Sequence, residues 1–427
     1  MKVAIAGFGL EGMSNFNYWS KLGADITIFD EKQPTQEVPA GVSIVVGQDT
    51  FTKINGFDLV IRTAGLRPDK IKTDDRVWSS TNEFFEKCPA PIIGVTGTKG
   101  KGTTASLIAQ MLSNDEKNVH LLGNIGVPAL DILPTIKPDD IVVFELSSFQ
   151  LWDLTRSPET AVVLMIEPEH QDVHSSMEEY VNAKSNIAKF QTEDDLIIYH
   201  PNNPFSAKVA ENSKARKMQY MKPSGAYVIG GQIVIGDIAV ALSQEVGLIG
   251  EHNLENICAA ITAAWRYTKN ITAIQSAIKT FKGLPNRLEF VKEVRGVKFY
   301  NDSYSSAPGA TIAAIKSFSE PEVLICGGFD RGLDYSELAL SISLQKNIKK
   351  VLLMGQTKTS IADHLAKVGF LNFELLDGND FKGFIQIAKD AAEPGDIVVL
   401  SPGCASFDMF KDFNDRGNQF KKIVEEL

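Results

Sequence analysis

The residues Gly94-Val95-Thr96-Gly97-Thr98-Lys99-Gly100-Lys101-Gly102-Thr103-Thr104 have the types and spacing needed to hold phosphate. An apolar run (Pro91-Ile92-Ile93) precedes them and a helix-like run (Ala105 to Leu112) follows. Strand, glycine turn and helix are the context of a phosphate-binding loop. Small residues at Gly97, Thr98, Gly100 and Gly102 let backbone N–H groups converge on phosphate oxygens, and the helix N-terminus adds partial positive charge. Lys99 flanks the turn. Lys101 would sit on the β- and γ-phosphates, and a hydroxyl of Thr103 or Thr104 would reach Mg²⁺. The position after the lysine is Gly102 rather than Ser or Thr, so the metal role passes to Thr103.

Other groups could join such chemistry. Gly7, Gly9 and Gly12 form GxGxxG after a first strand, and Asp30 follows a second strand. That pattern fits a dinucleotide, with Asp30 on a ribose hydroxyl, or another nucleotide. Since a triphosphate loop is already present, a nucleotide-sugar is the more economical occupant. Glu145 ends an apolar strand and could ligate Mg²⁺. His170, in Glu167-Pro168-Glu169-His170, is either a metal ligand or an ordinary loop histidine. Lys184 reads on its own as a surface helical lysine. Asn253 is a plausible helix cap, and the amides around Asn256 could bond a purine. Asp302, in Asn301-Asp302-Ser303, could touch Mg²⁺ or ribose, or make an Asx turn. The helix-start amides of Ser401-Pro402-Gly403-Cys404-Ala405-Ser406 could hold a carboxylate.

The elements that must position these groups alternate strand and helix in three segments. Residues 1–89 read as a Rossmann-like domain, with strands Val3–Ala6, Asp25–Phe29 and Asp58–Arg62 and a helix from Met13 to Leu22. Pro89-Ala90-Pro91 marks the first boundary. Residues 90–283 read as a P-loop ATPase-like domain. Its continuous apolar runs Ile141–Glu145 and Ala161–Ile166 suit parallel strands covered on both faces, and Met177–Phe190 and Leu254–Tyr267 read as helices. After Gly283-Leu284-Pro285-Asn286, residues 284–427 form a second Rossmann-like domain with strands Val323–Cys326, Val351–Met354 and Ile397–Leu400. The fold class is therefore α/β with three domains and mostly parallel sheets.

The 427 residues exceed one ordinary core, and 44% hydrophobic with 22% charged residues is the composition of a soluble globular protein. A net charge of −10 argues against nucleic acid as the main partner. No apolar run approaches the ~18–20 residues of a membrane span, and the start shows no signal-peptide pattern. Cys88, Cys258, Cys326 and Cys404 lack CxxC spacing, so reduced thiols and a cytoplasmic location are expected.

In this order the motifs resemble the Mur ligases, the ATP-dependent amide-bond formers of peptidoglycan precursor synthesis, and among them the glutamate-adding branch. Gly123-Asn124-Ile125-Gly126-Val127-Pro128-Ala129-Leu130, Glu145-Leu146-Ser147-Ser148-Phe149-Gln150-Leu151, and Leu400-Ser401-Pro402 through Phe413 with Arg416-Gly417 carry the likeness. The resemblance implies UDP-N-acetylmuramoyl-L-alanine and glutamate as substrates. It implies ATP and two Mg²⁺ ions, with no nucleic acid, no membrane insertion and a monomer. Gly9, Leu10, Glu11, Asp30 and Lys32, with Gly65, Asn124, Ser147 and Gln150, would line the nucleotide-sugar. The phosphate loop through Thr104, with Asn253, Asn256, Arg287 and Asp302, would hold ATP. Thr103, Glu145, His170 and Lys184 would serve the metal, Lys184 matching the family's carbamylated lysine. Ser306, Arg331, Ser406 and Phe413 would meet glutamate. The chemistry implied is an acyl phosphate formed from the alanine carboxylate and then attacked by the glutamate amine, with domain closure excluding water.

Departures from the family pattern gather near the amino acid. Tyr304 stands where a lysine is usual, Arg331 replaces a lysine after Gly327-Gly328-Phe329-Asp330, and Glu169 replaces the aspartate before His170. Glu11 and Glu31 replace small or hydroxyl residues. D-glutamate is the family default, and these changes make L-glutamate the sharpest variant. A folylpolyglutamate synthase-like ligase is disfavoured because about ninety residues precede the phosphate loop. A nicotinamide dehydrogenase would leave Lys101 and Lys184 idle. A non-catalytic homologue would draw its best support from Tyr304.

Overall fold

Val3, Ala4, Ile5 and Ala6 are wholly buried in the middle strand of the first sheet. The computed structural model describes all residues except 35, 125, 126, 171, 172, 249 and 251, and all their side chains except that of 252. The first sheet comprises β1 (Lys2–Ala6), β2 (Asp25–Asp30), β3 (Ser43–Val46), β4 (Leu59–Arg62) and β5 (Val77–Ser79), in the order β3-β2-β1-β4-β5. Every pairing in it is parallel, as buried apolar runs require.

The second sheet is also all parallel. It contains β6 (Ile92–Thr96), β7 (Val119–Gly123), β8 (Ile141–Glu145), β9 (Thr160–Val163), β10 (Leu196–Tyr199) and β11 (Arg216–Gln219), ordered β11-β10-β9-β6-β8-β7. The sequence predicted a strand to Ile166, but β9 ends at Val163. Beyond it the run follows the phosphate loop, with the Thr98 N–H donating to the Met165 carbonyl at 2.8 Å. A small antiparallel sheet, β12 (Ala226–Ile229), β13 (Gln232–Ile235) and β14 (Ile238–Leu242), was not anticipated. Its hairpins turn at Gly230-Gly231 and Gly236, all at positive φ.

The last sheet is β15 (Glu289–Val294), β16 (Val297–Asn301), β17 (Glu322–Gly327), β18 (Ile348–Met354), β19 (Phe373–Leu375) and β20 (Ile397–Leu400), ordered β15-β16-β20-β17-β18-β19. Only the β15–β16 hairpin is antiparallel. Apolar clusters cover both of its faces.

Packing divides the chain into two compact units, Met1–Val246 with Glu251–Phe281, and Gly247–Gly250 with Lys282–Leu427. Within the first unit the two large sheets are joined. Phe84 and Phe85, from the helix Ser80–Lys87, share a core with Ile92 and Phe144. Arg62, fully buried at the end of β4, forks onto Asp153 at 2.6 and 2.7 Å. Its remaining N–H groups reach the carbonyls of Leu66 and Phe149. Such a pair is stable only because its other hydrogen bonds are also made. All four cysteines are free, and among the described residues no helix is long and apolar enough to cross a membrane.

Candidate active site

β6 stops at Thr96, and the helix Lys101–Ser113 starts after Gly100, which is left-handed at φ 81°. A Cβ on Gly100 would lie 2.2 Å from Asn256 Oδ1, so glycine lets the helix His252–Ala264 approach the loop. The Thr98 hydroxyl accepts from the Glu167 N–H at 2.9 Å, which stitches the loop to the chain beyond β9. Lys101 Nζ donates to the carbonyls of Gly97 (3.1 Å) and Thr98 (2.7 Å), placing its ammonium over the turn. Gly102 lies in the first helical turn. Thr104 is wholly buried with its hydroxyl 3.4 Å from Asn256 Oδ1, whereas Thr103 is only half-buried. Asn256 donates to Asn253 at 3.0 Å, so the two asparagines flank the same loop. Lys99 is exposed, 3.9 Å from the Glu167 carboxylate.

Lys184 departs from the surface reading. It is 1% exposed in the helix Met177–Lys189, donates to the Gly97 carbonyl at 2.8 Å, and lies over the Tyr180 ring. Burial, reinforced by the nearby Lys101, holds its pKa well below the usual lysine value, against the pull of Glu169 and Glu145. Glu145, at the end of β8, is 3% exposed. One oxygen accepts from Asn124 at 3.2 Å, and the other is buried without a partner. A buried carboxylate oxygen left open beside a phosphate loop is a donor suited to a cation. His170 holds a left-handed backbone at φ 55° and its ring lies 3.6 Å from the Glu169 carboxylate. Ile125 and Gly126 of the Gly123–Leu130 motif lie outside the described residues, as do Gln171 and Asp172 beside His170.

At the first sheet, the Asp30 carboxylate accepts from the backbone of Phe8 (2.8 Å) and Lys32 (3.1 Å), so it organises the glycine turn. Gly9 caps the helix Leu10–Lys21, which begins three residues earlier than predicted, and Leu10 is 71% exposed there. Gly65 is exposed. The Glu11 oxygens accept from the Ser80 hydroxyl and the Ala64 N–H. Glu11 therefore braces the helix against the β4 turn. Ser147 and Gln150 form a mutual capping box, Gln150 Oε1 accepting from Ser147 N and Ser147 Oγ accepting from Gln150 N.

In the second unit, Asp302 is buried and accepts from Ser305 (2.5 Å), Ser401 (2.7 Å) and the Leu288 N–H (3.2 Å). Burial pushes its pKa up to about 6 despite these bonds. Arg287 and Arg331 are exposed and lie over aromatic rings, Arg287 on Tyr304 and Arg331 on Phe407. Ser406 is buried, Ser306 is half-buried, and Phe413 begins the helix Phe413–Glu426 with its ring edge against Tyr304.

Known proteins match this arrangement. The Mur ligase middle domain matches residues 95–264, and the Mur ligase, glutamate ligase domain matches residues 286–404. The UDP-N-acetylmuramoylalanine--D-glutamate ligase of Clostridium tetani is 39% identical, over 100% of this chain and 97% of its own. The chain belongs to the Mur ligase family. Two Thermotoga maritima structures share the fold. UDP-N-acetylmuramate-alanine ligase MurC has a TM-score of 0.62 at 15% identity, covering 100% of this chain and 99% of its own. MurF ligase in complex with ADP has a TM-score of 0.59 at 17% identity, covering 99% and 95%. The chain is accordingly an ATP-dependent amide-bond-forming ligase with a multi-domain α/β fold.

Two buried residues near these groups of the ligase were passed over by the sequence reading. His174 is 1% exposed, stacks on Trp152 at 4.3 Å and meets the Ser148 hydroxyl at 3.0 Å. Burial lowers its pKa, and the His170 carbonyl accepts its backbone N–H at 2.8 Å. Its only sequence signal was its place four residues after His170. Arg416, quoted only as motif, is fully buried and has no carboxylate partner among the described residues. It donates instead to the Ser303 hydroxyl and carbonyl, each at 2.9 Å, and to the Cys404 carbonyl, tying the Asp302 turn to the Ser406 loop. Burial lowers its pKa to about 10.

Proposed function

We propose that this ligase joins D-glutamate to UDP-N-acetylmuramoyl-L-alanine with conversion of ATP to ADP and phosphate. The observation that carries the reading is the phosphate loop with buried Lys184 and the open oxygen of Glu145 beside it, in a chain alike end to end to a D-glutamate ligase. The alanine carboxylate attacks the γ-phosphorus and ADP leaves. The glutamate amine then attacks the acyl carbon, phosphate departs through a tetrahedral intermediate, and the amine loses a proton to solvent.

Loop N–H groups and Lys101 neutralise charge that develops on the transferred phosphoryl group. Thr103, Glu145 and His170 are the groups that would hold Mg²⁺, which supplies further charge neutralisation when bound. The depressed pKa of Lys184 favours the neutral amine that carbamylation by CO₂ requires. Gly9, Leu10, Asp30, Lys32, Gly65, Asn124, Ser147 and Gln150 are assigned to the nucleotide-sugar. Asn253, Asn256, Arg287 and Asp302 are assigned to ATP, and Ser306, Arg331, Ser406 and Phe413 to glutamate. The stretches 1–89, 90–283 and 284–427 are the corresponding functional segments of a cytoplasmic monomer.

The test is phosphate release from ATP and Mg²⁺ with UDP-N-acetylmuramoyl-L-alanine, D-glutamate against L-glutamate. Turnover with D-glutamate is expected. Turnover with L-glutamate alone would shift the specificity, and silence with both would overturn the reading.

A further inference from the structure

Arg287 is presented by a strained turn. Asn286 and Leu288, on either side of it, hold left-handed backbone at φ 63° and 43°, a region that non-glycine residues occupy only when their surroundings impose it. Those surroundings are visible. Asn286 N–H donates to Glu289 at 2.9 Å, Leu288 N–H to Asp302 at 3.2 Å, and the Asn286 amide bonds Asn301 and Asn414. The Asn286 carbonyl accepts the Tyr304 N–H at 2.9 Å. The clamped turn throws the Arg287 side chain to the surface, where its guanidinium carbon lies 3.9 Å from the Tyr304 ring centroid. Phe413 packs near-perpendicular to the same Tyr304 ring, with centroids 5.1 Å apart and planes at 85°.

A guanidinium held over a ring by cation–π attraction spends none of its N–H donors on that contact. No hydrogen bond or ion pair engages those donors among the described residues. Stacking also removes rotamer freedom that a solvated arginine would lose only on binding.

We propose that Tyr304 is a positioning residue whose ring holds Arg287 ready to fork onto an anion, a phosphate of the nucleotide substrate. The proposal rests on the ATP-dependent reading above. The ring is what matters, and the hydroxyl is dispensable.

The test compares wild type with Tyr304→Phe, Tyr304→Ala, Arg287→Ala and the double variant Arg287→Ala/Tyr304→Ala. KM for ATP, KM for D-glutamate and kcat are measured, together with calorimetric binding of a non-hydrolysable ATP analogue. Tyr304→Ala should weaken ATP and analogue about tenfold, leaving KM for glutamate and the thermal midpoint in place. Tyr304→Phe should recover the affinity. The double variant should bind no more weakly than Arg287→Ala, because the ring acts through the arginine. Additive losses, or equal losses in Tyr304→Phe and Tyr304→Ala, would overturn the proposal. A rise confined to KM for glutamate would also overturn it, assigning the platform to the amino acid. Wild type that binds no analogue would sink the ATP reading itself. Wild type that binds it, with Tyr304→Ala unchanged, would sink only this inference.

Discussion

At the phosphate loop the lysines are held by backbone carbonyls, Lys101 on Gly97 and Thr98 and buried Lys184 on Gly97; on the second unit the arginines Arg287 and Arg331 are exposed and lie over aromatic rings. The first arrangement is built into the fold. Moving Lys184 or the Gly97 turn would mean unpacking a sheet. The second arrangement is held by side-chain stacking worth about 0.5–2 kcal/mol per contact, so it can change without disturbing the core. The core thus fixes the lysines, whereas substitution at the exposed arginines leaves the core intact.

The largest test of that contrast is Lys101→Ala. If Lys101 neutralises the transferred phosphoryl group as proposed, its loss should lower kcat by about a thousandfold, read as phosphate release at saturating ATP. A loss under tenfold would mean that the loop amides suffice. Lys184→Ala should follow at about a hundredfold, with partial recovery on adding bicarbonate or a short carboxylate. Full activity without additives would remove the carbamate from the scheme. On the exposed side, Arg331→Ala should raise KM for glutamate about tenfold with little change in KM for ATP, and Arg331→Lys should recover only part of it. A loss in kcat alone would tie Arg331 to the chemical step.

Asp302 supplies a pH test in the second unit. Its folded pKa of about 6 lies above its ordinary 3.8, so on acidification the folded enzyme takes up this proton before the unfolded chain does. The proton stabilises the fold below pH 6 while removing the negative charge. The profile of kcat/KM should therefore show an acid limb near pH 6, falling about tenfold per unit, with no accompanying loss of structure by circular dichroism. Asp302→Asn should abolish the limb, whatever its residual rate, and a persistent limb would assign it to another group. The smallest effect belongs to Ser147→Ala, which removes one half of a capping box and should cost about 1 kcal/mol in urea unfolding.

The sequence made the rigid region legible because backbone sites write themselves in composition. The loop needs glycine at Gly97 and Gly100, and its flanking strands must be continuous apolar runs. Lys184 was opaque on residue type alone, since a lysine in a polar helix gives no sign of being 1% exposed; only resemblance marked it. Glu11 shows the same limit. Its charge is plain in the sequence, but that its carboxylate joins Ser80 to Ala64 depends on tertiary placement. The stacks on Tyr304 and Phe407 were equally hidden, because which ring an arginine meets depends on tertiary placement. The β12–β14 sheet was missed although Gly230-Gly231 announced a hairpin, its strands being too short for a clear alternation.

Arg62 and the phenylalanines of Ser80–Lys87 bear on how this chain could be cut and recombined. A cassette beginning at Pro91 would lack Phe84 and Phe85, leaving Phe144 facing water, and would strand Asp153 without its guanidinium. A graft that exchanges the first-sheet end of one such enzyme for another must carry Ser80–Lys87 with the recipient core and match Arg62 to Asp153 across the seam. Shuffling between relatives is thus filtered by an ion pair whose guanidinium is wholly buried.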